Sequence, residues 1–160
     1  MHYYSSHRAV LLGTCALLCS CTSMSGVHTR DAVCSLDNVW QAALDAVKNR
    51  SIIVKDKDRG RIETAWLEIP MPNRTIDASQ EELQDSKDRS RLILTVNRLD
   101  VEHVIRDIIR VFYIEERQRW VFQPDSRNFH WAETVPSEDV WRDVRSRLDA
   151  ALKEHGCSLT

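Results

Sequence analysis

The sequence predicts an α+β fold in which one antiparallel β-sheet of about four strands carries two helices on one face, in the order α-β-β-β-β-α. Amphipathic helical patterns lie near the two ends of the folded part, at 35–49 and 138–155. Between them, short segments rich in β-branched residues follow one another through brief turns, which favours antiparallel pairing. The length of 160 residues suits one domain with a tail.

The composition excludes several classes of protein. Lys and Arg number 22 against 24 Asp and Glu, so the net charge is −2, and hydrophobic residues make up 42% of the chain. This is a globular mixture, and its acidic balance argues against a nucleic-acid partner bound through a general positive field. The four Gly and four Pro exclude collagen-like or Gly/Pro-rich low-complexity chains.

Residues 1–20 have the pattern of a secretory signal peptide. Arg8 precedes about ten apolar or small residues at 9–18, a run too short to span a membrane. The run ends in Leu18-Cys19-Ser20-Cys21, which resembles the bacterial lipobox. The resemblance implies cleavage before Cys21 and lipidation of its sulfur and amino group. The alternative is an ordinary cleaved signal in which Cys21 is one more thiol.

An acylated Cys21 tethers a protein to a membrane without a spanning helix, because several acyl chains together hold it stably. In Gram-negative sorting, an Asp after the lipidated cysteine favours retention in the inner membrane. Thr22 occupies that position here. We therefore expect the bacterial outer membrane as the location, with the domain facing the periplasm. Residues 21–34 are predicted to form a flexible tether.

Two cysteines, Cys34 and Cys157, remain after the signal and the lipidated residue are set aside. The oxidising compartment permits a disulfide between them. Sequence alone does not fix the distance between their Cα atoms, and we expect two independent thiols, with the disulfide as the alternative. The chain has no Cys/His spacing typical of a metal site, so neither a metal nor a cofactor is expected.

The first half of the domain reads as a helix followed by a hairpin. Ser35 or Asp37 can cap the helix at 35–49, whose apolar face is Val39, Trp40, Ala43, Leu44 and Val47. A β-branched strand at 51–55, a polar turn at 56–60 and an alternating strand at 61–69 predict the hairpin.

The second half begins with a polar loop at 70–89. A strong strand follows at 89–99, with Leu92, Leu94 and Val96 facing the core. The next stretch satisfies both a helical and a strand pattern. Its β-branched and aromatic density favours a strand at 106–116, and 117–122 either continues it or forms a new edge.

A loop at 124–136 leads to the last helix at 138–155. Ser137 is predicted to cap this helix, and Gly156 to end it. The domain is therefore expected to extend over residues 35–157.

No catalytic constellation is apparent in the sequence. It lacks the GxSxG, HExxH, P-loop and GxGxxG motifs, and no histidine stands beside a nucleophile. We therefore expect a protein that is not an enzyme.

Basic and aromatic residues interleave at 117–122 and 127–131. One interpretation places Trp120, Phe122 and Trp131 in the core at the open end of the sheet. The other makes Arg119, Trp120, Phe122 and Trp131 an exposed patch for a protein partner, since Trp and Arg carry much of the energy of interfaces.

The sequence also resembles the NlpB/DapX (BamC-like) lipoproteins. The resemblance rests on Val39-Trp40, on the turn 56–60 followed by Arg61-Ile62-Glu63-Thr64-Ala65-Trp66, on the strand at 91–96, and on Val140-Trp141. It implies a helix-grip domain on a lipid tether and an accessory role in outer-membrane protein assembly. Proteins of that family have two such domains, whereas this chain has room for one.

These observations predict a lipid-anchored, non-enzymatic binding or scaffold module of the cell envelope. Its expected partners are the membrane, through Cys21, and another envelope protein. The alternative function is a carrier that holds a lipid or another small ligand in a groove between sheet and helices.

Overall fold

The computed structural model describes residues 26–70, 87–100 and 107–160. It confirms the α+β class, with two helices and an antiparallel sheet, but the sheet has eight strands and not four. The elements of this part of the chain are β1 (Val27–Val33), α1 (Leu36–Ala46), β2 (Ile52–Asp56), β3 (Arg61–Thr64), β4 (Leu67–Pro70), β5 (Lys87–Leu99), β6 (Ile108–Gln123), β7 (Asn128–Glu133), α2 (Glu138–Glu154) and β8 (Ser158–Leu159).

The sheet is built around its two longest strands, β5 and β6. Its main path runs β2-β3-β5-β6-β1-β8, while β4 pairs with the free part of β5 and β7 with the free part of β6. The prediction of a strand at 106–116 is therefore confirmed over its described residues, because β6 begins at Ile108. The segment 117–122 continues that strand. Burial alternates over the first half of β6, where Ile109, Val111, Tyr113 and Glu115 are buried, and this fits the two-residue period of a strand.

The prediction of a flexible tether over 21–34 is wrong for residues 27–33. These residues form β1, which pairs antiparallel with β6, Val27 lying opposite Ile114 and Val33 opposite Ile108. Ala32 is fully buried in this pairing. The segment is polar and lacks strict alternation, so its strand structure comes from the partner strand and not from its own hydrophobic pattern.

Three further strands, β4, β7 and β8, differ from the prediction. The predicted strand at 61–69 is interrupted at Ala65 and Trp66, so that β3 and β4 pair with β5 separately. At the interruption the hydroxyl of Thr64 accepts a hydrogen bond from the backbone N–H of Leu92, 2.9 Å away. β7 forms in the middle of the predicted loop at 124–136, because β6 is long enough to pair with it. The third, β8, follows α2 and pairs with the end of β1.

The predicted loop at 70–89 is wrong at its two ends. Pro70 ends β4, and residues 87–89 begin β5, where each strand pairs with the other. The intervening residues 71–86 lie outside the described part of the chain.

Both helices lie on one face of the sheet and enclose the core. The five residues predicted for the apolar face of α1 are all buried, against β5 and β6 residues such as Leu94 and Val111. Ser35 caps α1 as predicted, its hydroxyl accepting from the backbone N–H of Asn38 at 3.2 Å. Ser137 precedes α2, but its side chain makes no capping bond to the described residues. Instead its backbone N–H donates to a carboxylate oxygen of Glu115 at 2.5 Å.

The turn between β2 and β3 depends on Gly60. Its φ of +63° lies in the left-handed region, and a Cβ there would collide with the carbonyl oxygen of Val96. The same close approach lets the backbone N–H of Val96 donate to the Gly60 carbonyl oxygen at 2.7 Å. Only glycine combines this conformation with this contact.

Cys34 and Cys157 form a disulfide in the structure, with an S–S distance of 2.02 Å. The expectation of two independent thiols is therefore wrong, and the alternative, a disulfide, is present. The two residues meet because β8, just after Cys157, pairs with the end of β1, just before Cys34. The bond closes a loop that spans 123 residues.

Candidate partner-binding surface

Part of the sheet, formed by β4, β5, β6 and β7, extends beyond the region that the helices cover. The residues that pack against the helices end at Leu92 on β5 and at Tyr113 on β6. Past these points, β4 pairs with the first residues of β5, and β7 pairs with the last residues of β6. We call this part of the sheet, made of 67–70, 87–90, 117–123 and 128–133, the sheet extension.

Aromatic side chains cover the face of the extension that points away from the helices. Trp120 lies directly opposite Trp131, and Phe122 opposite Phe129. Their ring centroids are 5.0 Å and 5.2 Å apart, and Trp120 also stacks on Phe129 at 5.9 Å. Such spacings are typical of favourable contacts between aromatic rings.

Cationic side chains from β5 lie over these rings. The guanidinium of Arg89 is 4.6 Å from the ring centroid of Trp66 and 4.2 Å from that of Trp131. The ammonium of Lys87 is 5.6 Å from Trp120. All these distances are within the range of cation–π attraction. We call the whole set the aromatic–cation cluster; it consists of Trp66, Lys87, Arg89, Arg91, Trp120, Phe122, Phe129 and Trp131.

The charges of the cluster are only partly neutralised within the described residues. Arg91 pairs with Glu116 at 2.7 Å and Lys87 with Glu68 at 3.2 Å. Arg89 instead donates two hydrogen bonds, of 2.9 and 2.7 Å, to the side-chain oxygen of Gln118, which is neutral. The surface therefore presents a guanidinium held between two indole rings, which is able to attract a negatively charged or aromatic group of a partner.

The structure brings together three of the four residues that were predicted as a partner patch. Trp120 and Trp131 are half-buried and Phe122 is 39% exposed; none of the three belongs to the core beneath the helices. Arg119 does not join them, because neighbouring residues of a strand point to opposite faces of the sheet. The patch prediction is therefore wrong for Arg119.

Arg119 belongs to an ion-pair cluster on the other face. Its Nε lies 2.9 Å from a carboxylate oxygen of Asp88, and Arg117 binds the same carboxylate at 2.8 Å. Asp88 is fully buried. Burial alone would raise the pKa of Asp88, but hydrogen bonds from Arg119 and Arg117 outweigh it and hold the pKa below its ordinary value.

We expect Asp88→Asn to lower the free energy of unfolding by about 2 kcal/mol at neutral pH, because the amide removes the buried counter-charge that Arg117 and Arg119 share. Since the folded-state pKa of Asp88 is lowered, its contribution is present above the unfolded-state pKa near 4 and is lost as the pH falls further. Urea unfolding at several pH values measures both effects. Equal pH dependence of the wild-type and variant proteins below pH 4 would contradict this prediction.

Five members of the cluster were not predicted as partner residues from the sequence: Trp66, Lys87, Arg89, Arg91 and Phe129. Phe129 lay in the interleaved stretch, but β7 had to be recognised before it could be placed opposite Phe122. Trp66 and Arg89 are 23 positions apart in the sequence, and they meet only because β4, which follows Trp66, pairs with the beginning of β5. The alternation of charged residues at 87, 89 and 91 was the available signal.

A small cavity lies between the helices and the sheet. That cavity lies beside Trp141, is bounded by Leu92 and Tyr113, and has a volume of about 10 Å³, enough for one water molecule. A lipid does not fit there. Among the described residues, no three potential metal ligands lie together, and neither helix is long and apolar enough to cross a membrane.

Comparison with known proteins adds no family to this picture. No protein-family model matches the sequence, and no curated protein matches it. The motifs of the resemblance have structural roles in the described part of the chain. Val39 and Trp40 are buried in the core, as are Ile62 and Thr64, while Trp66 contributes to the aromatic–cation cluster.

Proposed function

We propose that this protein is a lipid-anchored, non-enzymatic module of the bacterial cell envelope that binds another protein through the aromatic–cation cluster. The cluster is the observation that carries the proposal. It concentrates three Trp and two Arg side chains on a sheet face that no described helix or strand covers. Residues of these types provide most of the binding energy of protein interfaces.

The construction of the cluster favours binding. Trp120 and Trp131 are fixed on paired strands, and Arg89 is held between two rings and a glutamine. Side chains ordered before binding lose less conformational entropy when a partner arrives. A flat sheet face with projecting rings suits a protein surface better than it suits a small molecule, which needs a concave pocket.

Two histidines in the described part of the chain, His28 and His155, have contacts that support a structural role more than a catalytic one. His155 lies 2.9 Å from the carboxylate of Asp45, which joins the two helices. His28 packs against Tyr113 and Trp141, with ring centroids 5.4 and 4.6 Å away. We therefore propose that the protein works by contact alone.

The location follows from Cys21. Its acylation would hold the domain at the periplasmic face of the outer membrane, where the partner is another protein of the envelope. The resemblance to the NlpB/DapX lipoproteins suggests that this partner belongs to the machinery for outer-membrane protein assembly. The proposal does not extend to a lipid carrier, because the cavity beside Trp141 is far too small for an acyl chain.

The double variant Trp120→Ala/Trp131→Ala is expected to weaken partner binding by about 100-fold or more, as for the central residues of an interface. A photo-reactive amino acid at Glu133, on the same face, would record the partner in intact cells as a crosslinked band. The same probe at Asp139, at the start of α2, serves as the control position.

The matched control variant is Ile53→Ala, which removes an exposed apolar side chain from β2, a strand that contributes no residue to the cluster. It should leave the crosslink unchanged. A persistent crosslink in the tryptophan variant, or loss of its cooperative thermal unfolding, would contradict the proposed role of these residues.

A further inference from the structure

Two exposed phenylalanines lie at the far end of the sheet extension. Phe122 and Phe129 flank the turn that joins β6 to β7, and each is 39% exposed with the ring centroids 5.2 Å apart. Arg127, in the turn between them, is also exposed. The hairpin thus ends in an apolar pair next to a cation. This pair lies at the same end of the sheet as the beginning of β1.

The chain enters the domain from the direction of this hairpin. β1 runs antiparallel to β6, with Val27 opposite Ile114 and Val33 opposite Ile108. β6 runs from Ile108 towards Phe122, so the N-terminal end of β1 is the end nearer the extension. Gly26 lies there against Pro136. The next residue towards β7, Val135, is 79% exposed.

The lengths of the two segments can be compared. Five residue steps separate Cys21 from Gly26, which reach at most about 18 Å when fully extended. Eight residue steps along β6 separate Ile114 from Phe122, which amounts to about 26 Å in a strand. The tether is therefore shorter than the distance from the end of β1 to the hairpin. When the sheet extension points towards an anchor at Cys21, a tether of this length does not hold the hairpin clear of the bilayer.

The chemistry of the hairpin suits a membrane interface. Phenylalanine gains free energy when it leaves water for the acyl boundary, and arginine interacts with lipid phosphates. Tryptophan and lysine, which follow in the next row at Trp120 and Lys87, are typical of the headgroup level.

We propose that the tip of the β6–β7 hairpin inserts into the interfacial region of the phospholipid bilayer to which Cys21 is anchored. This inference rests on the proposed lipid anchor and goes further, because it fixes the orientation of the domain. Phe122 and Phe129 enter the bilayer surface, and Arg127 meets the phosphates. Arg89, with the rings of Trp66 and Trp131 on either side of it, then lies next to the membrane and faces sideways, accessible to an envelope protein.

The test uses the full lipoprotein reconstituted in vesicles of phosphatidylethanolamine and phosphatidylglycerol. An environment-sensitive fluorophore is attached to Ser126→Cys in the hairpin turn, or to Asp58→Cys in the β2–β3 turn at the opposite end of the sheet. The introduced cysteine is the only reactive thiol of the mature protein, because Cys34 and Cys157 are bonded to each other and Cys21 is acylated.

The expected result is a blue-shifted emission at position 126 that shallow spin-labelled lipids quench severalfold more than the emission at position 58. The double variant Phe122→Ser/Phe129→Ser should abolish this difference, whereas Ile53→Ser should preserve it. The serine pair controls for insertion by the fluorophore itself.

Two outcomes would overturn the inference while leaving the anchor intact. In one, the protein floats with the vesicles, but positions 126 and 58 are quenched equally. In the other, position 126 is shielded only when a second envelope protein is added, which would assign the phenylalanines to a protein contact. If the protein does not float, and mass spectrometry finds no acyl group on its N-terminal peptide, the proposed anchor fails and the inference fails with it.

Discussion

Replacing Cys21 by Ala is expected to move the protein from the membrane fraction to the soluble fraction almost completely. One acyl chain gives only marginal binding, with an association constant of about 10⁴ M⁻¹, and each further chain adds about 0.8 kcal/mol per buried CH₂ group. Loss of all chains therefore removes nearly the whole membrane affinity. The hairpin tip, with two phenylalanines, does not compensate for it. Fractionation and vesicle flotation measure the effect.

Cys19→Ala is the matched control for this experiment. It changes the neighbouring cysteine inside the lipobox but leaves the Leu18, Ser20 and Cys21 positions that processing requires. The Cys19 variant should be acylated and remain in the membrane fraction. Retention of the Cys21 variant on membranes, or an unmodified Cys21 in the mass spectrum of the wild-type protein, would refute the lipid anchor.

Loss of the disulfide is expected to have the largest effect on stability. A cross-link that closes a loop of 123 residues reduces the entropy of the unfolded chain enough to contribute about 5 kcal/mol. Measured values for native disulfides are typically about 2–5 kcal/mol, and domains are stable by only about 5–15 kcal/mol in total. We therefore expect Cys34→Ala/Cys157→Ala to be barely folded at 37 °C.

The position of the disulfide strengthens this expectation. It fastens the end of β1 to the segment that follows α2, and β1 is otherwise held by β6 and the two-residue β8. Urea unfolding with and without reductant measures the loss. Reductant should lower the stability of the wild-type protein to that of the double variant and leave the variant unchanged. A stability equal in all four samples would show that the cross-link contributes nothing.

The proposed anchor and the disulfide act on the same short segment. The proposed tether would lead into β1, and the disulfide holds the far end of β1. Any force transmitted from the bilayer through the tether therefore reaches the sheet through a strand that is covalently fixed to the C-terminal part of the domain. This arrangement is consistent with a module that keeps a defined orientation at the membrane surface.

The elements that the sequence predicted are those whose pattern is local. α1 and α2 show a continuous 3.6-residue period, and the β2–β3 hairpin shows a glycine turn between β-branched segments. β5 was recognised because Leu92, Leu94 and Val96 alternate with other residues, and β6 because β-branched and aromatic residues are dense at its beginning. Each of these signals comes from residues that are close in the sequence.

The strands that the sequence missed have no such signal. β1 and β7 contain seven and six residues and are polar or only partly apolar. They are strands because long, already formed neighbours offer them unpaired backbone groups. These pairings determine the face on which Arg119 lies and the contacts of Arg89 with both Trp66 and Trp131.

The sequence by itself determined the α+β class, both helices, the long strands and the residues of the core face of α1, since side-chain periodicity is a local property. It also provided the basis for the proposed anchor at Cys21. Only the tertiary structure decided that the sheet has eight strands, that Cys34 meets Cys157, and that the aromatic residues share one face with three cations of β5. The reason is physical: these features depend on contacts between segments far apart in the chain, whose register is fixed by the packed sheet and not by the residues alone.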